Sequence, residues 1–137
     1  MTTFVDTSVV IYLLDENSAH HEWSLAAVNA AKRNGPVIIP DIVYSELSVG
    51  LPSKEATDRA IEELAFERLP CSDETLFRAG RAFKKYKEDN RGPKDNVLPD
   101  FLIGAQAECE HSPLLTNNEK DFLGYFPALT LVCPGQA

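Results

Sequence analysis

The sequence is short of most of what staples or anchors a chain. Of 137 residues, 3 are cysteine, 1 is methionine and 1 is tryptophan. Cys71, Cys109 and Cys133 are odd in number and far apart, so they draw no disulfide framework, zinc site or redox motif. His20, His21 and His111 have no partner at metal-ligand spacing. No apolar run approaches the ~20 residues of a membrane span. The N-terminus lacks the basic start and small-residue cleavage site of a signal peptide, which reads as a cytoplasmic chain with no membrane partner. Positive charge is scarce as well: 13 Lys and Arg against 21 Asp and Glu leave a formal net charge of −8. A protein of that balance is not a broad, nonspecific nucleic-acid binder, which feeds on a positive field. Repeats and low-complexity tracts are missing too.

What remains is an ordinary globular composition, 44% apolar and 25% charged, in a length that suits one domain over residues 1–137 with its own core. Short β-rich runs alternate with helical patterns, the order expected of an α/β protein with a parallel sheet. Strands are expected at 3–6, 37–39, 67–69, 113–116 and 129–132. Helices are expected through Leu14, over 18–33, from Asp41 through Ser48, after the Ser53 cap, after Ser72 and over 99–110. On the second helix Trp23, Ala26, Ala27, Ala30 and Ala31 are expected to face the core; on the one after Ser72, Leu76, Ala79, Ala82 and Phe83. Residues 89–96 read as a polar loop. This gives five short strands and about six helices in a three-layer α/β/α sandwich with a five-stranded parallel sheet.

Acids stand in unexpected places within this frame. Asp6 closes the apolar run FVDTSVVIYLL at the end of the first strand. Glu46 sits among apolar neighbours in IVYSEL. Asp100 opens LPDFLIGAQAEC, and Asn118 and Asp121 follow the fourth strand in LLTNNEKDF. Each has a plain structural explanation. Asp6 can cap a helix, Glu46 can be an exposed helix residue, Asp100 can stabilise a helix dipole, and Asn118 and Asp121 can be turn residues. Right-handed crossovers, however, put the start of each helix at the carboxyl edge of the preceding strand. Asp6, Glu46, Asp100 and the Asn118 segment therefore converge on one crevice, where α/β proteins place their chemistry.

Gathered carboxylates are costly: two charges ~4 Å apart repel by about 4 kcal/mol at an effective dielectric of 20. Such a cluster takes up protons or binds a cation. Oxygen donors without His or Cys point to a hard ion, Mg²⁺ or Mn²⁺. That arrangement suits phosphodiester hydrolysis, in which the ion generates hydroxide and neutralises phosphate charge.

In order and over nearly the whole chain, FVDTSVVIYLL, IVYSEL, LPDFLIGAQA and LLTNNEKDF resemble the motifs of PIN-domain ribonucleases, and most of all VapC-type toxins of toxin–antitoxin pairs. The resemblance implies Mg²⁺- or Mn²⁺-dependent cleavage of single-stranded or loop RNA, a homodimer, and inhibition by a cognate antitoxin protein. By position, Asp6, Glu46 and Asp100 match the acidic metal ligands. Thr7 and Ser8 match the small hydroxyl residues beside the first acid, and Thr116 the hydroxyl after the fourth strand. Where the family often has a fourth acid this chain has Asn118; either its carbonyl oxygen or the carboxylate of Asp121 is left to fill that place.

Basic residues are few but concentrated. Arg78, Arg81, Lys84, Lys85, Lys87, Arg91 and Lys94 make up seven of the thirteen. They read either as a solvated helix face or as a guide for the RNA backbone. Two other functions stay in view: a PIN-like domain that has lost catalysis and only binds a partner, and a Mg²⁺-binding phosphoacceptor domain. The second needs an acceptor Asp ending the third strand, where this chain has Arg68-Leu69-Pro70.

Overall fold

The computed structural model describes residues 1–89 and 97–135. Its strands are β1 (Thr3–Val5), β2 (Val37–Ile39), β3 (Glu67–Arg68), β4 (Leu114–Leu115) and β5 (Leu131–Val132). Helices α1 (Thr7–Leu14) and α2 (His21–Asn34) lead from β1 to β2, and α3 (Asp41–Gly50) and α4 (Lys54–Glu63) from β2 to β3. Helices α5 (Asp73–Asp89) and α6 (Val97–Cys109) lead to β4, and α7 (Glu119–Leu123) separates β4 from β5. The strands form one sheet in the order β3-β2-β1-β4-β5. All four pairings are parallel, with Phe4 opposite both Ile38 and Leu114.

The three central strands explain the sheet's place in the molecule. Thr3–Val5, Val37–Ile39 and Leu114–Leu115 are buried at every position, the unbroken apolar pattern of parallel strands covered on both faces. This is the α/β sandwich expected from the alternation of elements. Helix starts are marked by short polar side chains. Ser53 Oγ accepts from the Ala56 backbone N–H at 3.0 Å and Ser72 Oγ from that of Thr75 at 3.1 Å, each satisfying a donor that a helix start leaves unpaired.

The most extensive packing is of α5 on α6, and an aromatic cluster fastens it. Phe101 of α6 meets the rings of Phe83, Tyr86, Tyr125 and Phe126 at centroid separations of 5.2 to 6.4 Å. Arg78 closes the same seam. Its Nε donates to Glu108 Oε1 at 2.7 Å and its Nη2 to the Tyr125 carbonyl at 2.7 Å, with the guanidinium over the Phe126 ring. No helix of the described residues is long and apolar enough to cross a membrane.

Several local expectations need correction. The described residues carry seven helices; the additional one, α7, lies in a stretch read as turn. On α5 the buried stripe is Thr75, Ala79, Ala82 and Tyr86, so Leu76 faces outward with Phe77. One residue is a 100° rotation, enough to carry Leu76 off the stripe. On α2 the buried positions are Ser24, Val28 and Ala31, and Ala26 is exposed. The run of alanines around position 26 has no strong polarity of its own and so gives little sign of which face is inward. Most of the expected polar loop, with Arg91 and Lys94, lies outside the described residues.

Candidate active site

The sheet's strand order reverses at β1. The chain moves from β1 to β2 and β3 on one side, then crosses back to β4 and β5 on the other, which opens a crevice beyond the carboxyl ends of β1 and β4. Asp6 is the single residue between β1 and α1. Its backbone is extended, and its Oδ1 accepts from the Thr7 backbone N–H at 2.7 Å. Its Oδ2 accepts from Thr116 Oγ1 at 2.6 Å and Ser8 Oγ at 3.2 Å, with Asn118 Nδ2 further off at 3.4 Å. The two readings of Asp6 are therefore compatible, since one oxygen caps the helix and the other looks across to β4. The side chain is 2% exposed. Burial pushes its carboxyl above the usual range, with a smaller push from Glu46, while Thr116, Ser8 and Thr7 pull it back.

Glu46 arrives from the other half of the sheet, in the second turn of α3. Its Oε1 accepts from Thr7 Oγ1 at 2.7 Å, so the small hydroxyls of Thr7 and Thr116 each hold one acid in place. Asp100 lies in the first turn of α6. Its carboxyl is pushed up to about 8, first by burial, then by the charges of Asp6 and Asp121, a hydrogen bond with Asp121, and the charge of Glu46. The structure thus places all four acids within electrostatic reach of one another.

The β4 side is built on a short turn. The Asn118 backbone N–H donates to Thr116 Oγ1 at 2.9 Å, and that hydroxyl in turn donates to Asp6. Asn117 donates its backbone N–H to Ser8 Oγ at 3.3 Å and its Nδ2 to Tyr12 Oη at 2.7 Å. Tyr12 and Asn117 are absent from the sequence-based candidates. The available signal is that Tyr12 lies four residues after Ser8 on α1, hence on the same face, and that Asn117 adjoins Thr116.

Among the described residues, no three acidic, histidine or cysteine side chains close around one point as a formed metal site would. The donor chemistry nevertheless fits a hard divalent ion. Every candidate ligand is a carboxylate or amide oxygen, and the Asp100 carboxyl is raised first by burial and then by the neighbouring acids Asp6, Asp121 and Glu46. Of the basic residues, Arg78 is committed to the α5–α6 seam described above. Arg81, Lys84, Lys85 and Lys87 are exposed, with Arg81, Lys85 and Lys87 over the rings of Phe77, Tyr125 and Phe83. Among the described residues, no ion pair joins any of the five to the acids of the crevice.

Fold and site together define a parallel α/β domain with an acidic crevice at its topological switch point. The PIN domain family matches residues 3–124, and the chain belongs to that family. Solved structures share its fold over nearly the full length. VapBC2 from Rickettsia felis, bound to a DNA fragment from its promoter, superposes with a TM-score of 0.75 at 21% identity, covering 97% of this chain and 98% of that one. VapBC-1 from nontypeable Haemophilus influenzae gives 0.70 at 22% identity, with 97% and 98% covered. A toxin–antitoxin complex from Klebsiella pneumoniae gives 0.68 at 26% identity, with 98% and 99% covered. No curated protein sequence matches the chain.

Proposed function

We propose that this protein is a Mg²⁺- or Mn²⁺-dependent endoribonuclease, the toxin of a toxin–antitoxin pair, acting as a homodimer in the cytoplasm. One observation carries the reading: four acids from separate parts of the sequence, Asp6, Glu46, Asp100 and Asp121, lie within electrostatic reach of one another at the sheet's switch point, with the Asp100 carboxyl pushed up to about 8. The PIN domain match and the likeness to toxin–antitoxin structures support it.

Asp6, Glu46 and Asp100 would hold the ion, which when bound supplies an activated water and neutralises phosphate charge. The protein's own part is preparation. Thr7 and Thr116 fix the rotamers of Glu46 and Asp6 by hydrogen bonds of 2.7 and 2.6 Å. Asp100, hydrogen-bonded to Asp121 and with its carboxyl pushed up to about 8, would bind the ion in its deprotonated form. Asn118 offers Asp6 an amide donor at 3.4 Å and leaves its carbonyl oxygen as a neutral ligand. Arg81, Lys84, Lys85 and Lys87, exposed on α5, would attract an RNA backbone.

The antitoxin has a fitting surface beside the crevice. Ile11, Leu14 and Val49 are exposed along a cleft of about 440 Å³ between α1 and α3, with Asp15 and Glu46 on its wall. An apolar antitoxin segment carrying a basic residue complements both features. A second reading, a PIN domain that binds but does not cleave, draws on Asn118 standing where an acid is usual.

Cleavage of structured RNAs with Mn²⁺, followed by mapping of the new ends, decides between them. Discrete cuts by the wild type and a loss of about 100-fold or more in Asp100→Asn, the scale on which one transition-state group is felt, are expected. Full activity of Asp100→Asn in excess metal overturns the ligand assignment, and no cutting by the wild type leaves the binding-only reading.

A further inference from the structure

The turn after β4 has little burial to hold it where it stands. Phe122 anchors the far end of α7 in the core, but Asn118, Glu119, Lys120 and Asp121 are exposed. The Asn118 side chain makes no cap to α7, and a five-residue helix has no stability of its own. Yet two acids of the crevice depend on that turn. The Asn117 backbone N–H donates to Ser8 Oγ and the Asn118 N–H to Thr116 Oγ1. Both hydroxyls in turn donate to Asp6 Oδ2, so a shift of the turn reaches Asp6 along two routes at once. The same segment carries Asp121, the hydrogen-bond partner of Asp100.

We infer that Tyr12 is a positioning residue: by holding Asn117 it fixes the turn after β4 against α1, and so sets how tightly the crevice holds a divalent ion. The inference rests on the metal-binding part of the reading above and extends it to a residue outside the ligand set. Tyr12 is suited to the task because it is fixed itself. Its neighbours on α1, Val9, Val10 and Leu13, are buried in the core, which makes the helix a rigid base. Its carbonyl accepts from His21 Nδ1 at 2.8 Å, and its ring packs against that of His20 at 5.0 Å. From that base its hydroxyl accepts from Asn117 Nδ2 at 2.7 Å, joining one wall of the crevice to the other. Without this tether the turn must become ordered when an ion arrives, and the entropy lost at that moment weakens binding. With it, the donors to Asp6 stand in place beforehand, as the outer partners of a metal site do when they orient its ligands.

Calorimetric titration of the full chain with Mn²⁺ tests this apart from cleavage. Tyr12→Phe keeps the ring and removes the hydroxyl; Asn117→Ala removes the other half of the contact and leaves the backbone N–H in place. Each should weaken Mn²⁺ binding about fivefold, the scale of one hydrogen bond. The two together should do no more than either alone, because they break one contact. Ser53→Ala is the control. It removes a helix cap on α4, a comparable loss of stability, and should leave Mn²⁺ affinity unchanged. Unchanged affinity in Tyr12→Phe, additive losses in the pair, an equal loss in Ser53→Ala, or no Mn²⁺ binding by the wild type overturns the inference. An absence of RNA cleavage by the wild type, with this pattern of affinities intact, counts against the nuclease reading alone.

Discussion

At the scale of single residues, the acids of the crevice carry their history as charge. Asp100 has a carboxyl held at about 8 in the folded chain against an ordinary value of 3.8, so the sign of its effect on stability is fixed. Between those values the unfolded chain has released the proton and the folded chain retains it, and stability therefore falls as pH rises through that window. Below about 4 the group contributes no slope, and above about 8 its full cost is present. Urea denaturation in chelator across pH 5 to 8 should show this decline, and Asp100→Asn should remove most of it. An identical slope in the variant would assign the effect to another group. Asn118→Asp places a carboxylate where an amide now donates to Asp6. The metal-free protein should become less stable while Mn²⁺ affinity rises about tenfold, on the scale of one added oxygen anion at partial solvent screening. Calorimetric titration beside Asp121→Asn distinguishes the two residues, since affinity unchanged in both returns them to structural roles. Asp6, Glu46 and Asp100 were legible because an acid inside an apolar run breaks a pattern that sequence displays. Tyr12 and Asn117 were not, because their contact spans 105 positions and a tyrosine on an amphipathic helix breaks no pattern.

At the scale of elements, the crevice depends on how closely α7 approaches α6. Gly104 makes that approach possible. A Cβ there would lie 2.8 Å from Cδ2 and Cε2 of Phe126 and 3.0 Å from Cδ1 of Phe122, and both rings are fully packed. Gly104→Ala gains up to about 1 kcal/mol of helix propensity but overpacks a core that has no room, at about 1–3 kcal/mol. A net loss of stability is expected, with a larger proportional loss of activity, since displacing α7 moves Asp121 away from Asp100. Denaturation and cleavage rates on the same preparation check both, and a more stable variant with full activity would show that the interface yields freely. Element order and type were readable from alternation of apolar runs with helical periods. Helix α7 was not, because five residues are too few to display a 3.6-residue period and too short to be stable without the packing of Phe122. The outward turn of Leu76 was hidden for a related reason: Leu76 and Phe77 lie beside the buried Thr75, and hydrophobicity alone ranks the wrong neighbour inward.

At the scale of the whole molecule, a net charge of −8 and the proposed RNA substrate are reconciled by distribution. Exposed cations cluster on α5, while a divalent ion would offset the acids of the crevice. The sheet order β3-β2-β1-β4-β5 supplies the rest, because β1 borders both halves, pairing with β2 and with β4. Asp6 and Thr7 come from the first strand's end, Glu46 from the half built next, and Thr116 and Asn118 from the half built last. Thr116 and Asn118 meet Asp6 across 110 and 112 positions. A ribosome adding residues from the N-terminus therefore completes β1 to β3 and helices α1 to α6 before the crevice has its second wall. During synthesis the emerging chain lacks β4 and everything that hangs from it, so the carboxylates have nothing to close against. On the proposed ribonuclease reading, the transcript and ribosome producing it are spared until β4 and the turn from Thr116 to Asn118 have emerged.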